Sequence, residues 1–121
     1  MAKRAKSKLV LHGKEIRTLY DALDVIRERP GMWIGEPSLT GLWHLLHGFF
    51  AGIGCTGMRL EPEDPSFEQF HDYVEDRWKL PRSTRGYRTT LLYMAGLDEK
   101  LALEYFWSTL DEFRTAKRSA R

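Results

Sequence analysis

The sequence predicts a mainly α-helical protein, a compact single domain of about five helices with one short strand near its N-terminus. Three observations lead to this prediction. Apolar residues recur at steps of three and four along most of the 121-residue chain, which places them on one face of a helix. Proline and glycine cluster between these periodic segments, where they end helices and form turns. Apolar residues also make up 42% of the chain, which suffices for one hydrophobic core.

Both ends of the chain are basic and lack a periodic apolar face. We therefore expect residues 1–7 to form a disordered tail, residues 8–114 the single helical domain and residues 115–121 a basic C-terminal tail. The N-terminus lacks the apolar run of a signal peptide, and no stretch approaches the roughly 18 apolar residues of a membrane span. The single cysteine, Cys55, excludes an intramolecular disulfide and fits a reducing compartment. These features predict a cytoplasmic protein without membrane contact.

The first part of the domain predicts a short strand at Lys8 to His12 and a helix from about Lys14 to Arg27. The apolar face of this helix consists of Ile16, Leu19, Leu23 and Ile26. Pro30 ends the helix, because proline donates no N–H and restricts the residue before it.

The residues around Pro30 are predicted as a structural turn or short extended piece. This turn comprises Arg29, Pro30, Gly31, Met32, Trp33 and Gly35. Gly31 and Gly35 would allow backbone angles that are closed to other residues. Met32, Trp33 and Ile34 are expected to plug the corner between two helices.

The second predicted helix begins at Leu39, where the Ser38 side chain offers a cap, and ends near Ile53. Its core stripe is predicted to contain Leu42, Leu45, Leu46, Phe49 and Ile53. The apolar arc is widened by Trp43, His47 and Phe50. We therefore expect two faces of this helix to be buried.

Three further helices are predicted, each with a cap or a helix-ending residue at its boundary. Ser66 and Gln69 suggest a capping box for the third helix, which ends before Pro81. The fourth helix ends at Gly96, and Asp98 caps the fifth. Their predicted inner faces contain Phe67, Phe70, Val74 and Trp78 in the third helix, Tyr87, Leu91 and Met94 in the fourth, and Leu103, Phe106, Leu110 and Phe113 in the fifth.

Charged residues are segregated along the chain, although the formal net charge is only +2. An acidic block without a basic residue consists of Glu61, Glu63, Asp64, Glu68, Asp72, Glu75 and Asp76. The basic block that follows consists of Arg77, Lys79, Arg82, Arg85 and Arg88. Surfaces of one sign raise the rate at which charged partners meet, so the acidic block is the predicted partner-binding region. Charges also cluster by chance on solvated surfaces, and that interpretation stays open.

The segment from Arg27 to Gly35 reads RERPGMWIG and is followed by EPSLTGLWHLLHGFFAGI. It resembles the opening of the ATPase domain of gyrase B subunits and related topoisomerases, where R-x-R-P-G-M-Y-I-G precedes a helix that begins G-L-H-H. In that family the helix carries a glutamate that activates water and an asparagine that holds magnesium. Matching G-L-H-H to residues 41–44 places Gly48 and Gly52 at those two positions. Because glycine offers neither a carboxylate nor a side-chain oxygen, the match implies no ATP hydrolysis.

A second resemblance covers more of the chain. An early helix, an R-P-G-M-[YW]-[IL]-G turn, an acidic middle helix and a final helix at Ala102 to Phe113 are similar to small, uncharacterised bacterial proteins. Some of those proteins resemble immunity proteins, which shield bacteria from their own secreted toxins. This resemblance implies a protein partner.

Other chemistry finds little support in the sequence. His44 and His47 have a spacing that can place two imidazoles on one metal, but only His71 and Asp72 are obvious further donors, so we predict no metal site. Cys55 has no neighbouring histidine to activate it as a nucleophile. No G-x-S-x-G, P-loop or dinucleotide motif is present, and we predict no catalytic residues and no cofactor.

The sequence thus predicts a non-enzymatic protein-binding module. The favoured function is an immunity protein that neutralises a cognate bacterial toxin through an acidic helix spanning Glu61 to Asp76. The alternative is a nucleic-acid-binding or topoisomerase-associated regulator that uses its basic termini. A degenerate nucleotide-binding fold is the third possibility.

Overall fold

The computed structural model describes residues 8–119 of the chain. It is mainly helical, as predicted, with a short β-hairpin before the first helix. In chain order the elements are β1 (Leu9–Leu11), β2 (Lys14–Ile16), α1 (Leu19–Glu28), α2 (Pro30–Ile34), α3 (Leu39–Thr56), a 3-10 turn (Phe67–Gln69), α4 (Phe70–Arg77), α5 (Tyr87–Met94) and α6 (Glu99–Ser119). Residues 1–7, where we predicted a disordered tail, lie outside the described part.

The N-terminal hairpin takes the place of the predicted start of the first helix. Strands β1 and β2 pair antiparallel, with Leu9 opposite Ile16, through a two-residue turn at His12–Gly13. Both turn residues have positive φ, 52° and 77°, as the favoured tight turn of a hairpin requires. The prediction of a helix from Lys14 was wrong. Ile16 has the spacing of the apolar residues of α1, but it lies in strand β2, where it packs beside Ala22.

Helix α1 begins at a capping box that the sequence analysis missed. The Thr18 hydroxyl accepts a hydrogen bond from the Asp21 amide at 3.3 Å, and the Asp21 carboxylate accepts one from the Thr18 amide at 3.0 Å. These bonds satisfy amide groups that the start of a helix leaves without intrahelical partners. The helix ends before Pro30, as predicted.

The segment after α1 is a short helix and not the turn or extended piece that we predicted. Pro30 fits the first position of α2, because the N–H that proline lacks has no intrahelical acceptor there. Trp33 is half-buried and packs on the core, whereas Met32 is 54% exposed and does not plug the corner. Gly35 ends α2 with a φ of 87°, while Gly31 has an ordinary helical backbone.

Helix α3 begins at Leu39, as predicted, and the Ser38 hydroxyl accepts a hydrogen bond from the Gly41 amide at 2.9 Å. Its buried residues all lie in its first half and are Leu39, Leu42 and Leu46. The second half has no buried residue, and Phe50 is 43% exposed. The predicted burial of two faces was wrong here, because apolar spacing places side chains on a face without supplying the surface that covers them.

The core surrounds α6, which packs against α3, α4 and α5. Its predicted stripe is confirmed, since the structure buries Leu103, Phe106, Leu110 and Phe113. The ring centroid of Phe70 in α4 lies 5.5 Å from those of Phe106 and Phe113. Edge-to-face contacts of this kind stabilise aromatic pairs beyond the area that they bury.

Both ends of α6 bear on the predicted domain limits. The Asp98 carboxylate accepts a hydrogen bond from the Leu101 amide at 3.0 Å, as expected of a cap. The helix then continues to Ser119, so most of the segment that we expected to be a C-terminal tail is helical. Alanine, lysine and arginine favour helix, and no glycine or proline interrupts this segment.

None of the helices within residues 8–119 combines the length and the hydropathy that crossing a lipid bilayer requires.

Candidate protein-binding surfaces

The predicted acidic block does not form one helix. Residues 61–66 have no regular secondary structure and lead through the 3-10 turn into α4. Six of its seven acidic residues are exposed or half-buried, and we call them the acidic surface: Glu61, Glu63, Asp64, Glu68, Asp72 and Asp76. The seventh, Glu75, is 0% exposed and belongs to the interior.

Glu75 lies in a network of polar contacts between α4 and the loop after it. Its Oε2 accepts a hydrogen bond from the Ser83 hydroxyl at 2.6 Å and lies 3.1 Å from His71 Nε2, and its Oε1 lies 3.6 Å from the Arg82 guanidinium. The Ser83 hydrogen bond lowers the pKa of Glu75; burial opposes this effect, and the neighbouring His71 and Arg82 reinforce it. The carboxylate is therefore held in its ionised form.

The same network fastens the loop to the helix. His71 Nε2 lies 2.9 Å from the carbonyl oxygen of Ser83, which only accepts, so this nitrogen carries the hydrogen. Arg82 also donates to the carbonyl oxygen of Asp72 at 3.0 Å. Glu75 thus stabilises the backbone that carries the acidic surface. The sequence feature that could have predicted this network is the spacing of His71 and Glu75, which lie one helical turn apart on the same side of α4.

Arg82 and Arg17 are two of the cations that offset part of the charge of the acidic surface. Arg82 contacts Asp76 at 3.0 Å and Asp72 at 3.6 Å, and Arg17 donates to Glu61 at 3.0 Å. All of these side chains are exposed, so the ion pairs contribute little to stability. The six carboxylates outnumber these two guanidinium groups.

The acids of the acidic surface differ in how far the fold already engages their carboxylates. Glu68 is exposed, and within residues 8–116 its carboxylate has no hydrogen bond or ion pair. Glu63 differs, because its carboxylate accepts a hydrogen bond from the Phe67 amide at 2.9 Å and so caps the 3-10 turn. Glu68 is therefore the acid most available to a partner.

One group of residues has the spacing of a metal site. His71, Asp72 and Glu75 bring ligand atoms within 4.8 Å of one another, the only such trio in the described part of the chain. The Arg82 guanidinium already lies against both carboxylates, and His71 Nε2 directs its hydrogen at an oxygen acceptor. We assign the trio to the ion-pair network. His44 and His47, the first candidates for metal ligands, lie on the exposed side of α3.

The second half of α3 forms a different kind of surface, which the sequence analysis did not identify. From Leu39 to Met58 the chain contains no Asp, Glu, Lys or Arg. We call its outer side the uncharged helix surface, formed by Gly48, Ala51, Gly52 and Cys55 with Phe50 at its edge. Gly48 and Gly52 are the positions that match the catalytic residues of gyrase-type ATPases. A Cβ added at either position would meet nothing within 4 Å.

The predicted structural turn borders an apolar depression between α2 and α6. Its volume is about 270 Å³, and its lining includes Pro30, Gly31, Gly35, Pro37, Leu103 and Trp107. At its rim the Arg27 guanidinium lies 5.2 Å from the centroid of the Trp107 ring and pairs with Asp111 at 2.7 Å. The Arg29 amide donates to the carbonyl oxygen of Ile26 at 3.2 Å and ends α1. The turn thus both joins two helices and forms one wall of this depression.

The basic ends, which carry the alternative prediction of nucleic-acid binding, fall mostly outside the described side chains. Residues 1–7 and the side chains of residues 117–121 are in this category. Arg114 is described, and its guanidinium pairs with Asp24 at 3.0 Å and lies 4.4 Å from the centroid of the Tyr20 ring. Arg114 is therefore engaged within the fold.

No protein-family model matches the chain, and no curated protein or solved structure is significantly similar to it. The resemblances to gyrase-type ATPases and to immunity proteins stay predictions from motifs. The function has to be inferred from the surfaces of the molecule.

Proposed function

We propose that this chain is a non-enzymatic protein-binding module that docks its acidic surface on a basic surface of its partner. The observation that supports this proposal is that six acidic side chains between residues 61 and 76 are exposed or half-buried, while the exposed Glu68 carboxylate makes no hydrogen bond or ion pair within residues 8–116. The backbone beneath it is well anchored, because the Glu75 network ties α4 to the next loop and the Tyr20 hydroxyl donates to the carbonyl oxygen of Pro65. A fixed surface of one sign attracts an oppositely charged partner and loses little conformational entropy on binding.

The finer proposal is an immunity protein that neutralises a cognate bacterial toxin. Proteins that act on nucleic acids bind phosphates through basic clefts, and an acidic surface can occupy such a cleft in place of the substrate. Blocking a cleft in this way needs charge and shape but no catalytic residue in the inhibitor. The final helix, Ala102 to Phe113, is similar to that of small uncharacterised bacterial proteins, some of which resemble immunity proteins, and this similarity supports the choice of partner.

The acids of this surface are expected to contribute unequally. Glu68 meets a partner cation without giving up an internal contact. Asp72 and Asp76 first have to share or release Arg82, so part of the energy gained with a partner is offset by the pair that is lost. We therefore expect Glu68 to contribute most to the association rate.

The proposal is tested with the toxin-like product of an adjacent gene. Co-expression should restore growth of cells that produce the toxin, and the purified pair should bind more weakly as salt rises. Glu68→Lys should weaken binding at low salt by about tenfold, mainly through slower association. The matched control is Glu36→Lys, the same charge change at an exposed residue outside the acidic surface, which should leave binding unchanged.

Two results would contradict the proposal. The first is equal weakening by Glu68→Lys and Glu36→Lys, which would mean that overall charge and not this surface governs binding. The second is failure to protect cells from, or to bind, the toxin-like product. Binding of duplex DNA at low salt, with a steep salt dependence that Glu68→Lys does not reduce, would favour the nucleic-acid alternative.

A further inference from the structure

The Arg82 guanidinium lies among three carboxylates that helical spacing brings to one side of α4. These belong to Asp72, Glu75 and Asp76. Nη2 of Arg82 lies 3.0 Å from Asp76 Oδ1, and Nη1 lies 3.6 Å from both Asp72 Oδ1 and Glu75 Oε1. Nη1 also donates a hydrogen bond to the carbonyl oxygen of Asp72 at 3.0 Å. These oxygens form a site for a guanidinium group, and the chain's own Arg82 occupies it.

Glu75 distinguishes this site from a cluster of solvated acids. The residue is 0% exposed, and its Oε2 accepts the hydrogen bond of the Ser83 hydroxyl. Its Oε1 is also buried and accepts no hydrogen bond within the described part of the chain. A buried carboxylate oxygen without a hydrogen bond strongly favours a cation beside it, because little water reaches it. The site therefore attracts a guanidinium group whether Arg82 or another arginine supplies it.

The Arg82 side chain can leave the site without detaching the loop that carries it. Its side chain is 59% exposed, so water competes for its contacts. The loop between α4 and α5 has further attachments to α4. Ser83 donates to Glu75, and the His71 ring donates to the carbonyl oxygen of Ser83 at 2.9 Å. A partner can thus displace the side chain while the backbone of the loop stays in place.

We propose that Arg82 is an autoinhibitory side chain, which fills a site for an arginine side chain of a protein partner. This inference rests on the proposed docking of the acidic surface and adds the kind of residue that the surface recognises. The partner's arginine takes the place of Arg82 between Asp72, Glu75 and Asp76. Because one ion pair is lost for each that forms, Arg82 lowers the affinity for every basic partner.

The geometry of the site favours arginine over lysine as the incoming residue. Arg82 reaches its carboxylates and the Asp72 carbonyl with two different nitrogens of one planar group. A lysine ammonium is a single compact charge and cannot span the same set of oxygens. Displacing Arg82 therefore returns more to an arginine than to a lysine, and the internal contact makes the surface selective between basic partners.

The test compares two peptides of equal charge, nona-arginine and nona-lysine, as probes at low salt. Each is titrated by calorimetry into the wild-type chain and into Arg82→Gln, which opens the site. Arg82→Gln should bind nona-arginine about fivefold to tenfold more tightly than the wild type does, and nona-lysine at most about twofold more tightly. An Arg82→Gln variant that binds nona-arginine no more tightly than the wild type overturns the proposal, as does an equal gain for both peptides.

The matched control is Arg85→Gln, which makes the same charge change in the same loop. Arg85 is exposed, and its side chain has no hydrogen bond or ion pair within residues 8–116. Its loss should change the binding of either peptide by less than about twofold, because it uncovers no carboxylate. Equal gains from Arg82→Gln and Arg85→Gln would mean that net charge and not the opened site governs binding, which contradicts the proposal.

A second background locates the effect at the site. Asp76→Asn removes the carboxylate closest to Arg82, so adding Arg82→Gln to this variant should recover less than half of the gain. The full gain in this background contradicts the proposal. Should Arg82→Gln fail to fold, Arg82→Lys keeps the charge but lacks the planar group, and it should still bind nona-arginine about twofold to threefold more tightly. Unchanged binding by folded Arg82→Lys overturns the proposal in the same way.

The peptides also separate this inference from the proposed function, because they require no toxin. A toxin-like partner that depends on Glu68, together with peptides that ignore Arg82→Gln, contradicts the autoinhibitory role alone. Peptides that behave as expected, together with a toxin-like product that does not bind, contradict the proposed function and leave the arginine site in place.

Discussion

The region around α4 and the second half of α3 are both exposed, but they differ in charge and in their contacts with the rest of the fold. Around α4 the chain is dense in charge, and many of those charges meet each other: Arg82 contacts Asp72, Asp76 and the buried Glu75. The second half of α3 has no charge and little internal contact, with Phe49 and Ile53 only half-buried. A dense run of charges in the sequence is thus partly a structural network, while an apolar run can remain on the outside.

This difference bears on how the molecule can attract a partner. An interaction through the acidic surface depends on long-range attraction, so it should weaken as salt rises. A salt series on a partner-binding assay therefore tests whether the acidic surface takes part in binding.

The largest expected effect comes from removing the buried carboxylate. Glu75→Ala leaves the Ser83 hydroxyl without its acceptor and removes the negative charge beside His71 and Arg82, so the loop after α4 loses part of its attachment and the free energy of unfolding falls. Urea denaturation followed by circular dichroism measures the loss. The control is Glu68→Ala, which removes an exposed acid of the same block and should change the free energy by less than about 0.5 kcal/mol. Equal effects of the two substitutions would mean that Glu75 is no more structural than its neighbours.

A smaller effect of opposite sign is expected within α3. Gly41→Ala places a Cβ 2.9 Å from Ile34 and 3.4 Å from Ser38, and should destabilise the fold by about 1–2 kcal/mol. Gly48→Ala meets no neighbour, so it should stabilise the monomer by up to about 1 kcal/mol through helix propensity alone. Thermal unfolding compares the two variants. Destabilisation by Gly48→Ala would reveal an internal contact at that position.

The sequence predicted the fold well where spacing and caps agree. The stripe of α6, the Ser38 cap of α3 and the end of α1 before Pro30 were all confirmed. The spacing of apolar residues led to a wrong prediction at Ile16, which fits the helical pattern of α1 but lies in a strand. The stronger local signals there were a capping residue at Thr18 and a turn at His12–Gly13.

The candidate surfaces were less predictable. The acidic block was evident from composition, but the burial of Glu75 depends on Ser83 and Arg82, which reach it from the following loop. Such contacts between separate elements are not encoded in the spacing of one helix. The exposure of Phe50 has the same origin, because periodicity identifies an apolar face and does not reveal whether another element of the fold covers it.

The smallest expected effect concerns the dependence of stability on acidic pH, which distinguishes the region around α4 from the second half of α3. The pKa of Glu75 lies below its ordinary value of 4.5 in the folded protein, so the unfolded chain binds a proton more readily than the folded chain does. The stability that the carboxylate contributes is therefore complete above pH 4.5 and is lost as pH falls through the folded pKa. In Glu75→Gln this group no longer titrates, so denaturation curves between pH 6 and pH 3 should show a shallower decline than the wild type. Gly48→Ala lies in a stretch of α3 that contains no carboxylate, so it should shift the whole curve without changing its slope. A Glu75→Gln curve parallel to that of the wild type would place the acid sensitivity elsewhere. The next group to substitute would then be Glu99, because burial raises its pKa but hydrogen bonds from Thr40 and Ser38 lower the pKa overall.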